Sequence, residues 1–324
     1  MGMKDRQRRA REMTRKMVKE NLRAHLSNHR VEDVLRKIIA HIADSAKYIA
    51  FYMEDESRRL VGRQNAYGEH VLALDEYANV ILKNRLEKET SFGIRQFASE
   101  ELDTIKMLGK GEERYSVTVD PLDGSSLVDS NLAVGTIVGI HAGKLLGRRS
   151  GRKSLAAAMY IIYGPLTTLV YTVGDGAHEF VLDKAGNFVL SQENLRMKRR
   201  GAIYGPGGLK SEWLANHAAF IKYLEQDGYK LRYSGALVPD VNQIIIKRGG
   251  VFCYPALKSQ KEGKLRLLFE EQPLAMIAEA CGGLATDGQR DTLDIVPCAF
   301  DQRAPFYFGS RREIEMAHKF LAAG

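Results

Sequence analysis

Residues 115–126 read Tyr-Ser-Val-Thr-Val-Asp-Pro-Leu-Asp-Gly-Ser-Ser, an alternating apolar run that leads into two carboxylates and a turn. The alternation predicts a β-strand, and Asp120 and Asp123 come at its end. The proline between them fixes its own φ and Gly124 permits a sharp turn, so both carboxylates and the Leu122 carbonyl can point to one place. Oxygen ligands of this kind suit Mg²⁺, with Mn²⁺ as the alternative. The stretch therefore predicts a metal site.

The three residues after the second carboxylate predict an anion site beside the metal. Gly124, Ser125 and Ser126 offer backbone N–H groups and hydroxyls where a helix or turn begins, which favours binding of a phosphate. Asp-Gly-Ser by itself is common turn chemistry. The whole run of residues 120–126 goes further, because it combines ligands for a cation with donors for an anion.

The composition excludes several classes of protein. The chain has 324 residues, 44% hydrophobic and 27% charged, which is ordinary for a soluble globular protein of about two domains. No apolar run approaches the ~20 residues that span a bilayer, and the start has no signal-peptide core. Cys253, Cys281 and Cys298 lie far apart, which predicts reduced, mostly buried thiols and disfavours a structural zinc site. We expect a cytoplasmic protein without a membrane partner.

The net charge of +8 is concentrated at the N-terminus. The first 24 residues contain three acidic groups and nine basic ones, Lys4, Arg6, Arg8, Arg9, Arg11, Arg15, Lys16, Lys19 and Arg23. A solvated helical arm is the favoured interpretation, with nucleic-acid binding and an organellar transit peptide as alternatives. A basic balance also suits an enzyme with an anionic substrate.

Hydrophobic periodicity indicates mixed secondary structure. Helices are predicted over residues 31–53, 75–86, 154–162 (with Ser154 as N-cap), 211–225, 273–280 and 312–321. Strands are predicted over residues 115–119, 134–140, 167–173, 179–182, 250–254 and 265–269, with a hairpin turn at 183–187. This alternation favours an α/β or layered α+β fold.

A polar, glycine- and proline-rich segment at residues 199–208 predicts a domain boundary. We expect a basic helical arm at residues 1–30, a metal- and phosphate-binding domain at 31–199 and a substrate-binding α/β domain at 200–324.

Further acidic residues fit a centre with more than one metal ion. They are Glu69, Asp75, Glu100, Glu101 and Glu270. Glu270 ends the apolar run 265–269, predicted as a strand, and open sheets place ligand groups at such ends. Several carboxylates around divalent ions are what two-metal phosphoryl transfer requires.

From about residue 68 to residue 310 the chain resembles the class I fructose-1,6-bisphosphatases. Sedoheptulose-1,7-bisphosphatases are close relatives, inside the inositol monophosphatase-like superfamily. The resemblance rests, in order, on Leu74-Asp75, Ser99-Glu100-Glu101, residues 120–126, Val134-Gly135-Thr136-Ile137, Arg232-Tyr233, Asp240-Val241, residues 249–255 and residues 263–270. It implies an α-β-α-β-α sandwich.

The resemblance also implies roles for individual residues. The implied ligands of two or three Mg²⁺ ions per subunit are Glu69, Glu100, Asp120, the Leu122 carbonyl, Asp123 and Glu270. The implied catalytic groups are Asp75, Glu100 and Glu101, of which Asp75 and Glu101 orient or deprotonate the attacking water. The implied substrate-binding residues are Asp123, Gly124, Ser125, Ser126, Arg232, Tyr233, Tyr254 and Lys264. Arg232 matches an arginine lent by a neighbouring subunit, which implies at least a dimer and, from the family, a homotetramer.

The chain departs from the fructose bisphosphatase pattern near the expected distant phosphate. Gly207 and Lys210 stand where that family usually has an asparagine and a tyrosine. Residues 127–131, 136–139 and 231–246 look closer to sedoheptulose bisphosphatases. We hypothesise that Lys210 replaces the tyrosine as a point-charge phosphate ligand.

Regulatory features of relatives are also missing. The threonine-rich turn that binds AMP in animal enzymes has no match, although Arg114-Tyr115 matches its basic-aromatic pair. The paired cysteines of light-regulated plastid enzymes are absent as well. Neither AMP control nor thiol control is therefore expected.

The predicted function is Mg²⁺-dependent hydrolysis of the 1-phosphate of fructose 1,6-bisphosphate, in gluconeogenesis or sugar-phosphate cycling. A sedoheptulose-1,7-bisphosphatase or a dual-specificity enzyme is the main alternative. Weaker alternatives are an inositol monophosphatase-like hydrolase and a nucleic-acid-binding protein that uses the basic arm.

Overall fold

The computed structural model describes residues 20–56, 74–88, 93–110, 113–147 and 149–322. Residues 1–19 of the predicted arm and the predicted ligand Glu69 lie outside these ranges. Within them, no helix is both long enough and apolar enough to cross a membrane.

Helices and strands alternate along the described chain. The helices are α1 Leu22–Asn28, α2 Asp33–Glu56, α3 Leu74–Lys88, α4 Gly151–Ser154, α5 Ala215–Gln226, α6 Leu237–Ile246, α7 Gln272–Ala280 and α8 Arg311–Ala322. The strands are β1 Ile94–Ser99, β2 Lys106–Met107, β3 Tyr115–Asp123, β4 Val134–Ala142, β5 Leu155–Tyr163, β6 Thr168–Thr172, β7 Ala177–Leu182, β8 Phe188–Gln192, β9 Ile203–Pro206, β10 Lys230–Leu231, β11 Gly250–Tyr254, β12 Leu284–Thr286 and β13 Phe306–Gly309.

The described strands form two sheets. The first has the order β2-β1-β3-β4-β5-β6-β7-β8 and is antiparallel except for the parallel pair β1–β3. The second has the order β10-β9-β11-β13-β12, with β9, β10 and β11 parallel.

The helices form three layers around these sheets. Helices α1, α2 and α3 cover one face of the first sheet, where their apolar spacing fills a shared core. Helices α6 and α7 lie between the two sheets, and α5 and α8 cover the outer face of the second. The predicted α-β-α-β-α sandwich is therefore confirmed.

The predicted helix at residues 154–162 was wrong. These residues form strand β5, and Ser154 ends the short helix α4 instead of capping a helix. Strand β5 lies between β4 and β6, and Tyr160 and Ile161 are fully buried. Because both faces of β5 are covered, its sequence is continuously apolar and lacks the alternation that marks a half-buried strand.

The predicted strand at residues 265–269 was also wrong. Residues Leu267–Glu271 form one buried turn of π-helix that leads directly into α7. A short apolar run fits a buried strand and a buried helical segment equally well. Glu270 is therefore positioned by a π-turn, a local structure frequent at functional sites, and not by a strand end.

The cysteines are free. Cys253 and Cys281 are buried as expected, whereas Cys298 is exposed.

Candidate active site

One cavity of about 170 Å³ brings together predicted residues from distant parts of the chain. Those that line it are Glu100, Glu101, Asp120, Leu122, Asp123, Gly124, Ser125, Tyr233, Tyr254, Lys264 and Glu270. The part of the cavity lined by the clustered acids Glu100, Asp120 and Glu270 is called the carboxylate end. The part lined by Tyr233, Tyr254 and Lys264, which lie near one another, is called the distal end.

Three side chains of the carboxylate end point at one another. Carboxylate oxygens of Glu100, Asp120 and Glu270 all lie within 4.8 Å of each other. Asp120 and Glu270 are buried, and Glu100 is half-buried. This spacing lets the three carboxylates share one cation.

A β-bulge aims the Asp-Pro-Leu-Asp stretch into the cavity. Asp120 pairs with Ile137 and Asp123 with Gly135, so two residues of β3 face one residue of β4. The Thr136 hydroxyl lies between these pairs and is 2.7 Å from the carbonyl oxygen of the proline, to which it donates a hydrogen bond. Bulges of this kind bend a strand and re-aim its side chains.

Asp123 joins the first sheet to helix α6. Its carboxylate accepts hydrogen bonds from the N–H groups of Leu237 at 3.1 Å and Val238 at 2.6 Å, in the first turn of the helix. The helix dipole and free N–H groups at a helix N-terminus stabilise a carboxylate there.

Gly124 packs closely against Ala236, the N-cap residue of the same helix. Its φ is +80°, and a Cβ built on it would lie 2.5 Å from the Ala236 Cβ. Both the backbone conformation and the close approach require glycine at this turn.

Arg266 connects two of the clustered acids. Its backbone N–H donates to Glu270 Oε2 at 2.5 Å, and its guanidinium pairs with the Glu100 carboxylate. The arginine fixes Glu270 through the backbone and supplies positive charge through the side chain.

Crowding of buried acids raises their pKa values. Burial first, and then the charges of Asp123 and Glu270, raise the pKa of Asp120 well above its usual range. Burial likewise raises the pKa of Glu270 to about 7 and that of Asp123 to about 6. Uncompensated buried negative charge of this kind fits a divalent cation with hard oxygen ligands.

Glu101 lies at the mouth of the cavity, close to α3. Partial burial and the negative charges of Asp75 and Glu76 raise the pKa of Glu101. Asp75 lies in the first turn of α3, where its Oδ1 accepts the Glu76 N–H at 2.9 Å, and it is outside the cavity lining.

The distal end is more open. Tyr233 is 45% exposed, and Lys264 is exposed with its Nζ 5.3 Å from the centre of the Tyr254 ring. Partial burial, Tyr254 and Asp240 raise the pKa of Tyr233 to about 12, so its hydroxyl keeps its proton at neutral pH. The Asp240 carboxylate holds this segment by accepting the Ser234 N–H at 2.8 and 3.1 Å.

Two published family models match the chain over nearly its whole length. The fructose-1,6-bisphosphatase N-terminal domain matches residues 12–193, and the C-terminal domain of the same enzyme matches residues 197–322. This chain belongs to the fructose-1,6-bisphosphatase family.

Individual relatives support the same family. A class 1 fructose-1,6-bisphosphatase of Citrifermentans bemidjiense is 47% identical over 305 residues, covering 94% of this chain and 92% of the relative. One from Methanocorpusculum labreanum is 42% identical and covers 90% of this chain and 88% of the relative.

Solved structures agree with the sequence comparison. The holo fructose-1,6-bisphosphatase of Leishmania major superposes with a TM-score of 0.83 at 29% identity, over 94% of this chain and 99% of that one. A Toxoplasma gondii protein assigned as a sedoheptulose-1,7-bisphosphatase superposes with a TM-score of 0.84 at 31% identity and the same coverage.

Three residues predicted to bind substrate lie outside the cavity lining. Ser126 is exposed in the 3-10 turn Ser125–Ser130, and Lys210 is exposed at the start of another 3-10 turn. Arg232 is exposed and donates to the Leu231 carbonyl at 3.0 Å. The structure does not bring these three side chains to the cavity within one subunit.

Other residues take part in the site without having been assigned a role from the sequence. They are Arg266, Asp240 and the N–H groups at the start of α6. Pro239 could have indicated that a helix begins near residue 237, since proline is common in the first turn of a helix. Nothing in the sequence near residue 237 indicated that this helix would face Asp123.

Proposed function

We propose that this family member hydrolyses the 1-phosphate of fructose 1,6-bisphosphate to fructose 6-phosphate and phosphate, in gluconeogenesis or sugar-phosphate cycling. The observation that supports it best is one cavity with a cation-binding carboxylate end and a cationic, hydroxyl-bearing distal end. A substrate with phosphates at both ends matches this arrangement.

The carboxylate end would hold Mg²⁺, with Mn²⁺ as the alternative and two or three ions per subunit. The proposed ligands are Glu69, Glu100, Asp120, the Leu122 carbonyl, Asp123 and Glu270. When bound, the ions neutralise phosphate oxygens and stabilise charge on the leaving oxygen.

Protein groups around the 1-phosphate would position the reactants. Gly124 and Ser125 line the cavity beside the acids, and their amides would donate to phosphate oxygens. Glu101 and Asp75 would orient the attacking water and accept its proton. The raised pKa of Glu101 favours it as a proton acceptor.

The distal phosphate would bind Tyr233, Tyr254 and Lys264. The two tyrosines donate through their hydroxyls, and the lysine adds positive charge at an exposed position. Lys210 remains a candidate only if its long side chain reaches the phosphate from the exposed 3-10 turn.

Sedoheptulose 1,7-bisphosphate is proposed as a second substrate. Gly207 donates its N–H to the Cys253 carbonyl at 2.7 Å, and a Cβ there would lie 2.6 Å from the Tyr254 ring. The missing side chain leaves the distal end free of the asparagine usual in fructose bisphosphatases, which would suit a sugar one carbon longer.

Phosphate release from both ketose bisphosphates, with and without Mg²⁺ and with added AMP, tests these substrates. We expect Mg²⁺-dependent release from fructose 1,6-bisphosphate and no inhibition by AMP. Faster turnover of inositol monophosphate than of either bisphosphate would instead favour the inositol monophosphatase-like alternative. Salt-sensitive nucleic-acid binding that disappears on deletion of residues 1–24 would favour the nucleic-acid alternative.

We further propose a homo-oligomer, a tetramer by family resemblance. Arg232 is exposed and outside its own cavity, which suits a residue that reaches a neighbouring active site. Mixing an Arg232→Ala chain with an Asp120→Asn chain tests this by complementation. Activity should appear in the mixed oligomer, since one site then has both a native Asp120 and a partner's native Arg232.

The division into residues 1–30, 31–199 and 200–324 and the cytoplasmic localisation are retained as proposals. The described part of the first segment, helix α1, packs Leu22 and Leu26 into the core of the first sheet.

A further inference from the structure

Three histidines meet where helix α1 packs against strand β7 of the first sheet. His25 lies in α1 and His29 is its C-cap residue, so their four-residue spacing places them on one face. His178 lies on β7 beneath that face. Ring centres are 4.1 Å apart for His25 and His29, 4.5 Å for His25 and His178, and 5.0 Å for His29 and His178.

One nitrogen from each ring can face a common point. These three nitrogen atoms all lie within 4.8 Å of one another. His25 is 1% exposed and His178 is 2% exposed, whereas the His29 side chain keeps 26% of its surface in solvent. The cluster is therefore buried, with an opening on the His29 side.

His25 has a buried nitrogen that lacks a partner. Its Nδ1 is 2.7 Å from the Tyr171 hydroxyl, while its Nε2 is buried without a hydrogen bond to any described residue. If Nδ1–H donates to Tyr171, the Nε2 lone pair is free to bind a metal ion. A ring held through its other nitrogen in this way is the usual arrangement for a metal-ligating histidine.

The remaining nitrogens are weakly held. His178 has two long hydrogen bonds, 3.4 Å from Nε2 to the Asp175 carbonyl and 3.3 Å from the Asn194 N–H to Nδ1. His29 Nε2 is 3.4 Å from a Glu193 carboxylate oxygen. Little hydrogen-bond energy opposes rotation of these rings toward a cation, and Glu193 or water can supply a fourth ligand.

The surroundings keep His25 neutral. Burial, and then the neighbouring His178 and His29, lower the pKa of His25 to about 4. Tyr171 and Phe180 contact its ring edge-on and exclude water. A neutral imidazole is the form that ligates a metal.

We propose that His25, His29 and His178 form a binding site for a borderline transition-metal ion such as Zn²⁺, separate from the Mg²⁺ centre. Imidazole nitrogens suit Zn²⁺, Co²⁺ and Ni²⁺, whereas Mg²⁺ prefers oxygen. Two ligands come from α1 and one from β7, so a bound ion would pin the N-terminal helix to the sheet. The site takes no part in the hydrolysis.

Titration of the full-length protein with Zn²⁺ or Co²⁺ tests the site. All proteins carry Glu270→Gln and are kept in excess Mg²⁺, so that the carboxylate centre contributes little transition-metal binding. We expect one ion per chain, with the strong visible absorption of four- or five-coordinate Co²⁺ bound through nitrogen. A chain that binds no ion under these conditions overturns the proposal.

Variants locate the ion. His29→Gln, at the partly exposed member, and His178→Gln should each weaken Zn²⁺ binding at least about 100-fold, since loss of a ligand exceeds the effect of losing an outer partner. His318→Gln is the matched control. His318 is partly buried and is not part of the cluster, and its Nε2 lies 2.8 Å from the Thr286 hydroxyl oxygen. Unchanged affinity in either cluster variant overturns the site.

Thermal unfolding gives a second readout that needs no activity. Zn²⁺ should raise the melting temperature of the parent and of the His318→Gln protein, because it binds the folded form, and should leave that of His29→Gln unchanged. Equal shifts in all three proteins would show a packing cluster without a metal site.

Discussion

The two ends of the cavity are built in opposite ways. At the carboxylate end, Asp120 and Glu270 are buried and held by backbone N–H groups. At the distal end, Tyr233 is 45% exposed and Lys264 is exposed. The carboxylate end concentrates negative charges that repel one another and that a bound cation can neutralise, which suits catalysis. The distal end offers adjustable, solvent-screened contacts, which suits recognition of one or more sugars.

Removing one buried acid should produce the largest effect. We expect Glu270→Gln or Asp123→Asn to lower kcat by at least about 10³-fold, the scale for loss of a preorganised electrostatic group. Phosphate release measures the change, and circular dichroism checks that the fold survives. Glu262→Gln, at an exposed position outside the cavity, is the matched control. Near-normal turnover in the Asp123 variant would show that the carboxylate end is not needed for catalysis, and would contradict the different roles assigned to the two ends.

A change at the distal end should act on binding instead. Lys264→Ala should raise KM for fructose 1,6-bisphosphate about 10- to 100-fold, the value of a charged hydrogen bond, with kcat nearly unchanged. Steady-state kinetics separate the two parameters. The exposed Lys261→Ala serves as control. If kcat falls as steeply as KM rises, Lys264 also stabilises the transition state. The distal end would then contribute to catalysis as well as to substrate binding.

A change of pH should affect the carboxylate end through Glu270. The pKa of Glu270 rises from 4.5 to about 7 on folding. Between pH 4.5 and pH 7 the folded protein therefore keeps a proton on Glu270 that the unfolded chain has lost. The contribution of this group to the free energy of unfolding is complete below pH 4.5 and is lost as the pH rises to about 7. From pH 5 to pH 8 we expect the melting temperature of the metal-free protein to fall relative to that of Glu270→Gln, which lacks this group.

Mg²⁺ should oppose this loss, because it replaces the protons. The Mg²⁺ concentration for half-maximal activity should fall about tenfold from pH 6 to pH 8, as ligand deprotonation favours the metal. Thermal unfolding with EDTA or Mg²⁺ across this range measures the stability, and Glu270→Gln should flatten the metal-free profile. An unchanged slope in that variant would assign the pH dependence to other groups.

Lys210 should give the smallest effect. An exposed ammonium contributes little through solvent, so Lys210→Ala should raise KM for both bisphosphates only about two- to fivefold. Lys222→Ala on α5 is the control. If KM is unchanged for both substrates, Lys210 does not replace the missing tyrosine.

Local chemistry predicted the backbone around Asp120 and Asp123 well. The strand over residues 115–119 and the turn at Gly124 follow from alternation and from the glycine and proline. The mistakes fell on two largely buried runs, residues 154–162 and 265–269, where periodicity no longer separates strand from helix.

Long-range pairing could not be derived from the residues alone. Asp123 meets amides more than 100 positions away, and Arg266 reaches Glu100 across the two halves of the chain. Such contacts depend on how the layers pack. The resemblance to a family supplied what local patterns lacked, and its implication that Arg232 serves a neighbouring subunit is consistent with the exposed side chain. The exposed position of Lys210 was not anticipated.

The hydrogen bonds from Asp123 to the start of α6 link the proposed cation site to the proposed sugar site. The N–H groups of Leu237 and Val238 donate to this carboxylate. In the same helical turn, Asp240 accepts the N–H of Ser234, the residue next to Tyr233. A cation that draws on the Asp123 charge therefore alters the same turn that orders the sugar site. By thermodynamic reciprocity, a sugar phosphate bound at the distal end must strengthen or weaken cation binding by the same factor. Cation affinity thus becomes a reporter of which sugar occupies the enzyme.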